Sequence, residues 1–99
     1  NIIAATSAIK VHKDVLDYMT ALVRSTRVQA KIELGVSPRG GLALKRAAQA
    51  WAMIQNRDFV TPGDVRKVAV PVLAHRIIAK GKSPIDAIED VLHAVPAPV

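Results

Sequence analysis

Four stretches of the chain place apolar residues at helical spacing, each opened or closed by residues that favour a helix end. From Lys13 to Val28, Val15, Met19, Leu22 and Thr26 fall on one face with Tyr18 and Val23 beside them, while Asp14, Asp17 and Arg24 lie opposite. Lys31-Ile32-Glu33-Leu34 and Gly35 read as an irregular connection. A second helix is predicted from Ser37-Pro38 to about Gln55, because a Ser hydroxyl can cap free N–H groups and Pro at the first helical position forfeits nothing. Leu44, Ala47, Ala48, Trp51 and Ile54 share a face there, with Leu42 and Met53 nearly opposite, as in a central helix covered on more than one side. Asn56 is placed to end it in the left-handed conformation.

Thr61-Pro62-Gly63-Asp64 repeats the capping signal, with a carboxylate where the helix N-terminus favours one. Val65, Val68, Ala69 and Val72 form the expected buried stripe, and Pro71 predicts a break or kink before Val72-Leu73-Ala74-His75-Arg76. Ser83-Pro84 starts a last helix with Ile85, Ala87, Ile88, Val91 and Leu92 as its apolar set. Phe59-Val60 and Ile77-Ile78 are too short to build a sheet, so the fold class is all-α, a small bundle of four to five helices. Leu22, Leu44, Trp51, Val65 and Val72 are the expected core, and Trp51→Ala is expected to cost roughly 3–5 kcal/mol.

Composition narrows what such a bundle can be. At 99 residues it is one module, and 51% hydrophobic against 22% charged residues excludes a disordered polyelectrolyte. With no cysteine, disulfide scaffolds, Cys-type zinc sites and thiol catalysis are excluded, and a cytoplasmic setting is the expectation. No apolar run reaches the roughly 18–20 residues of a membrane span. Asn1-Ile2-Ile3-Ala4-Ala5 shows neither an initiator Met nor a basic leader and reads as a cut end, while Val95-Pro96-Ala97-Pro98-Val99 reads as an extended tail. The net charge of +6 admits nucleic acid as a partner, but aromatics make up 3% and the basic residues are scattered from Lys10 to Lys82 rather than striped, which argues against it.

Catalytic chemistry is sparse. His12, His75 and His93 have neither the spacing nor the neighbouring acids of a metal site, so no metal ligand is assigned. No pair of carboxylates suggests acid–base work, and no phosphate loop is present. The informative segment is Gly35-Val36-Ser37-Pro38-Arg39-Gly40-Gly41, where a capped helix start carries a guanidinium at its second position. Two glycines that each cost about 1 kcal/mol in a helix fit a backbone that something approaches closely. Composition alone leaves two readings level: an anion dock, or a solvated arginine with tolerated glycines.

Four signatures in order break the tie: Ser25-Thr26-Arg27, Gly35-Val36-Ser37-Pro38-Arg39-Gly40, Asn56-Arg57-Asp58-Phe59-Val60-Thr61-Pro62-Gly63-Asp64-Val65, and Val72-Leu73-Ala74-His75-Arg76. Together they resemble the C-terminal lid domain of MoxR-type AAA+ ATPases. Val36, Asn56 and Phe59 are conservative departures from the family's usual Ala, Gly and Tyr. The resemblance implies that residues 1–10 end a linker from a nucleotide-binding domain, that 11–95 form the lid, and that 96–99 are a tail. It implies ATP and Mg as cofactors, held mainly by the nucleotide-binding domain, with Ser37, Pro38, Arg39 and Gly40 at the nucleotide and Arg39 as the sensor 2 arginine. Arg27, His75 and Arg76 also match; their spacing does not distinguish nucleotide contact, lid packing and subunit contact, and a structural role is favoured. Whether Arg39 serves its own subunit's ATP or its neighbour's stays open. The implied partners are the chain's own nucleotide-binding domain, neighbouring subunits of a ring, and von Willebrand factor A domain proteins. The competing reading is a freestanding histone-like or helix-turn-helix DNA-binding module, motivated by the basic balance and by Val60-Thr61-Pro62-Gly63-Asp64-Val65.

Overall fold

Three of the four helices among the described residues start with the same device, a hydroxyl cap followed by proline. In the computed structural model, which describes residues 8–29 and 31–98, the helices are α1 (Lys13–Val28), α2 (Pro38–Ile54), α3 (Pro62–Leu73) and α4 (Pro84–Ala94). Ser37, Thr61 and Ser83 each accept a hydrogen bond from the backbone N–H three residues on, and Asp64 returns the bond to Thr61 N–H in a full capping box. Caps of this kind contribute about 1 kcal/mol each and fix where the chain turns into the helix. Asn56, just beyond α2, has φ of 61°, the left-handed turn expected of it. The start assumed for residues 1–5 and the last tail residue lie outside the described residues.

The core is where the α1, α2, α3 and α4 stripes meet. Leu22, Leu44, Val65 and Ile88 are fully buried, with Val15, Tyr18, Met19, Leu73 and Val91 around them. The small buried residues Ala48, Ala52 and Ala69 let α2 and α3 pack over the most extensive helix contact in the domain. Ile9 is also buried, and Gln49 Nε2 donates to its carbonyl at 2.9 Å, which ties the segment before α1 to the middle of α2.

Some expectations need correction. Helix α3 runs through Pro71 to Leu73 before tightening into a 3-10 turn over Ala74–Arg76. Pro71 and Lys67, whose carbonyl loses its usual donor, are both exposed, so water can take that bond. The uninterrupted helix puts Leu73 in the core position and leaves Val72 half-buried. Trp51 is also half-buried, with Lys67 Nζ 5.6 Å from its ring centroid. Ile54 and Ile85, at the end of α2 and the start of α4, are exposed.

A short antiparallel ribbon also forms where an irregular connection was expected. β1 (Ile32–Leu34) pairs with β2 (Ile78–Ala79), placing Ile32 opposite Ala79 and Leu34 opposite Ile78 with an irregularity between. A further parallel bridge joins Lys10 to Phe59. Neither segment is long enough to show a two-residue period, and their pairing is non-local. The bundle remains the architecture, with the ribbon as a clip at one end.

Core truncation should therefore cost more at Leu44 than at Trp51. Leu44→Ala is expected to lose about 2–5 kcal/mol, and Trp51→Ala less than the 3–5 kcal/mol of a buried tryptophan, because part of that ring is already wet. Thermal unfolding followed by circular dichroism checks the order; a larger drop for Trp51→Ala would contradict this packing.

Candidate functional site

The segment between β1 and α2 is pinned to the last turn of α1. The Thr26 hydroxyl, wholly buried, donates to the Val23 carbonyl at 2.6 Å and accepts the Val36 N–H at 3.0 Å. The next residue, Arg27, donates its Nε–H to the Val36 carbonyl at 3.0 Å. Gly35 lies so close to α1 that an added Cβ would stand 2.8 Å from the Thr26 carbonyl oxygen and 2.9 Å from Arg27 Cα. Ser37 follows as the cap, Pro38 as the first helical residue and Arg39 as the second.

Arg39 is exposed, and among the described residues its guanidinium has no hydrogen-bond or ion-pair partner. Leu42, 45% exposed, and Arg46, also exposed, continue the same side of α2. A groove of about 490 Å³ between α1 and α2 opens alongside, with Leu16, Met19, Val23, Pro38 and Leu42 as apolar lining and Arg24, Arg27 and Lys45 as cations; no carboxylate lines it. This surroundings suits an anion.

The other assigned residues are placed differently from one another. The Ser37 hydroxyl is engaged with the Gly40 N–H at 3.3 Å. Gly40 is buried, and its missing side chain makes room for Val36: an added Cβ would stand 2.6 Å from Val36 Cγ1 and 3.2 Å from Arg76 Cδ. The close approach at Gly40 is thus made by the protein's own chain. Gly41 is open by comparison, with Val23 Cγ2 at 3.5 Å. Arg27 contributes to packing through Val36, Arg76 lays its stem along Gly40, and His75 is exposed.

The long motif beginning at Asn56 frames α3. Asp64 is 2% exposed and pairs with Arg57, besides closing the capping box. Arg66 joins three helices by donating to Tyr18 Oη and to the Leu92 carbonyl, each at 3.1 Å. Spacing alone gave no sign of that strut, nor of Gln49, since both depend on contacts more than 20 residues away in sequence. Far from the site, the hydrogen bond from Lys13 to Asp17, helped by their opposite charge, raises the Lys13 pKa above its ordinary value. Among the described residues no helix is long and apolar enough to cross a membrane, and no group of three or more metal-ligating side chains gathers.

Comparison with known proteins decides the family. The model of the AAA lid domain matches residues 24–95, which include all of the α2 start and the α3 motif. The chain belongs to the AAA lid domain family. It is 33% identical over 97 residues to the uncharacterized protein YeaC of Bacillus subtilis, covering 92% of this lid domain and 30% of that protein. It is 35% identical over 77 residues to the chaperone MoxR1 of Mycobacterium tuberculosis, covering 69% of the lid domain and 20% of the relative. A crystal structure from Cytophaga hutchinsonii that carries the name of an ATPase superposes with a TM-score of 0.89 at 31% identity, over 97% of this lid domain and 34% of that chain. The lid domain is of the MoxR type, and it spans about a third or less of the length of these relatives.

The two neighbouring glycines should respond oppositely to a methyl group. Gly41→Ala gains helix propensity at ordinary contact distance and is expected to stabilise the lid by about 0.5–1 kcal/mol. Gly40→Ala must displace Val36 and should destabilise it despite the same gain. Chemical denaturation of both variants checks this, and a stabilised Gly40→Ala would mean that Val36 is not held against α2.

Proposed function

We propose that this domain is the lid of a MoxR-type AAA+ ATPase and that Arg39 is its sensor 2 arginine, reaching the ATP phosphates from the start of α2. The observation that carries the reading is the exposed guanidinium at the second position of a capped helix, without a polar partner among the described residues, next to a groove that no carboxylate lines. Charge that spreads over a phosphoryl group in transfer is stabilised by a positioned guanidinium, and a helix end fixes the Cα from which one projects. Ser37 and Pro38 set the helix start that aims Arg39, and Gly40 admits Val36 beneath it. Mg and the phosphate loop belong to the nucleotide-binding domain outside this chain, so lid movement couples to hydrolysis through Arg39.

The parent works as a ring whose cycle remodels client proteins or inserts a metal or cofactor, in a cytoplasmic setting, with von Willebrand factor A domain proteins as partners. The name of its relative MoxR1, a chaperone, supports the remodelling role. Family membership favours this reading over a freestanding DNA-binding module.

In the full-length protein, Arg39→Ala is expected to lower ATP turnover by orders of magnitude while changing stability by no more than about 0.5 kcal/mol. Steady-state ATPase assays and thermal melting on one preparation measure both. Wild-type turnover would sink the assignment, and a collapsed melting temperature would make Arg39 structural.

The 99-residue chain alone is expected neither to hydrolyse ATP nor to bind it with micromolar affinity, since one arginine and a helix end cannot replace a phosphate loop. Calorimetric titration with ATP checks this; tight binding would reveal a complete site.

A further inference from the structure

We infer that Thr26 and Arg27 are positioning residues for Arg39, a latch through which the end of α1 sets the place of the backbone that carries that guanidinium. The inference rests on the sensor reading of Arg39. Its starting point is that both polar backbone groups of one loop residue, Val36, are captured by two consecutive side chains of α1: the N–H by Thr26 Oγ1 and the carbonyl by Arg27 Nε, each at 3.0 Å. The Thr26 hydroxyl cannot swing away, because its own proton is committed to the Val23 carbonyl at 2.6 Å. Steric contact fixes the same loop from two more directions. Gly35 sits on the α1 backbone at a distance only glycine permits, and Val36, 1% exposed, presses its Cγ1 into the space of a missing Gly40 side chain.

From this clamp to Arg39 the chain has little freedom. Ser37 and Pro38 alone intervene; Ser37 is held by its capping bond, and the ring of Pro38 fixes its φ. Once Val36 is immobile on α1, the helix start and the Arg39 Cα move with α1 as one body. Water cannot supply those bonds to Val36, which is 1% exposed. Instead the bonds come from a threonine with no solvent exposure and from an arginine whose terminal nitrogens remain beyond the bond it makes at Nε. Thr26 cannot touch a nucleotide, so any effect it has on hydrolysis must pass through what it holds.

A displacement of about 1 Å at a positioned group can cost about 100-fold in rate. In the full-length protein, Thr26→Val, which keeps the shape and removes the hydroxyl, is expected to lower kcat by about 10–100-fold with a smaller change in KM for ATP. Thr26→Ser should restore most of the loss. Arg27→Ala, at an exposed side chain that leaves the core intact, should act in the same direction by about tenfold and serves if Thr26→Val folds poorly. The decisive comparison repeats each substitution in the Arg39→Ala background. A residue that acts through Arg39 has nothing left to misplace there, so the further loss should vanish. Equal losses in both backgrounds, or wild-type kcat for both single variants, overturn the latch while leaving Arg39 in place. Wild-type turnover of Arg39→Ala itself overturns the sensor reading and the latch with it.

Discussion

The arrangement at the start of α2 depends on one constraint: Val36 must be buried while belonging to no helix or strand. A buried peptide outside regular structure has to find partners for its N–H and carbonyl, at a cost of about 1–3 kcal/mol for each group left unpaired. The end of α1 supplies both partners, and the geometry that follows is tight enough to demand glycine at Gly35 and again at Gly40. Neither glycine has a positive φ, so backbone freedom is not the reason for them. They are glycines because the two helices and the loop meet with no space for a methyl group.

The same logic explains which parts of the fold were legible beforehand. Local rules acted locally: the α1 range, the Ser-Pro and Thr-Pro starts and the left-handed Asn56 each follow from a few adjacent residues. What escaped were pairings between distant segments. Ile32–Leu34 and Ile78–Ala79 carry no period of their own, and only the packed bundle brings them alongside. Thr26 shows the difference within one residue. Its position on the buried face was readable from spacing, but the reason a hydroxyl sits there was not, because the Val36 N–H lies ten residues away. At Pro71 the local rule allowed a break or a kink, and the helix continues unbroken to Leu73, with Pro71 and Lys67 both on the exposed side.

Site and scaffold were legible to different extents for a related reason. Arg39 stood out because capping, proline and charge coincide in a short segment, and resemblance to a family supplied its role. Gly40 stood out too, with a different physical cause from the one spacing suggested: it receives Val36 from within the fold. Asp64 was visible as a cap but not as the buried partner of Arg57, so at these two positions the long motif beginning at Asn56 holds the start of α3 in place.

A domain built this way separates the exposed arginine proposed to meet the nucleotide from the buried residues that hold its helix start. Among the described residues the Arg39 guanidinium has no hydrogen-bond or ion-pair partner, so removing it should cost the fold little. Thr26 touches no solvent and can be felt only through the loop it grips. Between the two lies a cap, a proline and one immobilised peptide, a path too short to absorb movement in side-chain rotation. The start of α2 is therefore tied to the end of α1 through a short, hydrogen-bonded path. The proposed sensor role asks for that arrangement: a fixed backbone behind the contacting group and, among the described residues, no polar partner competing for it.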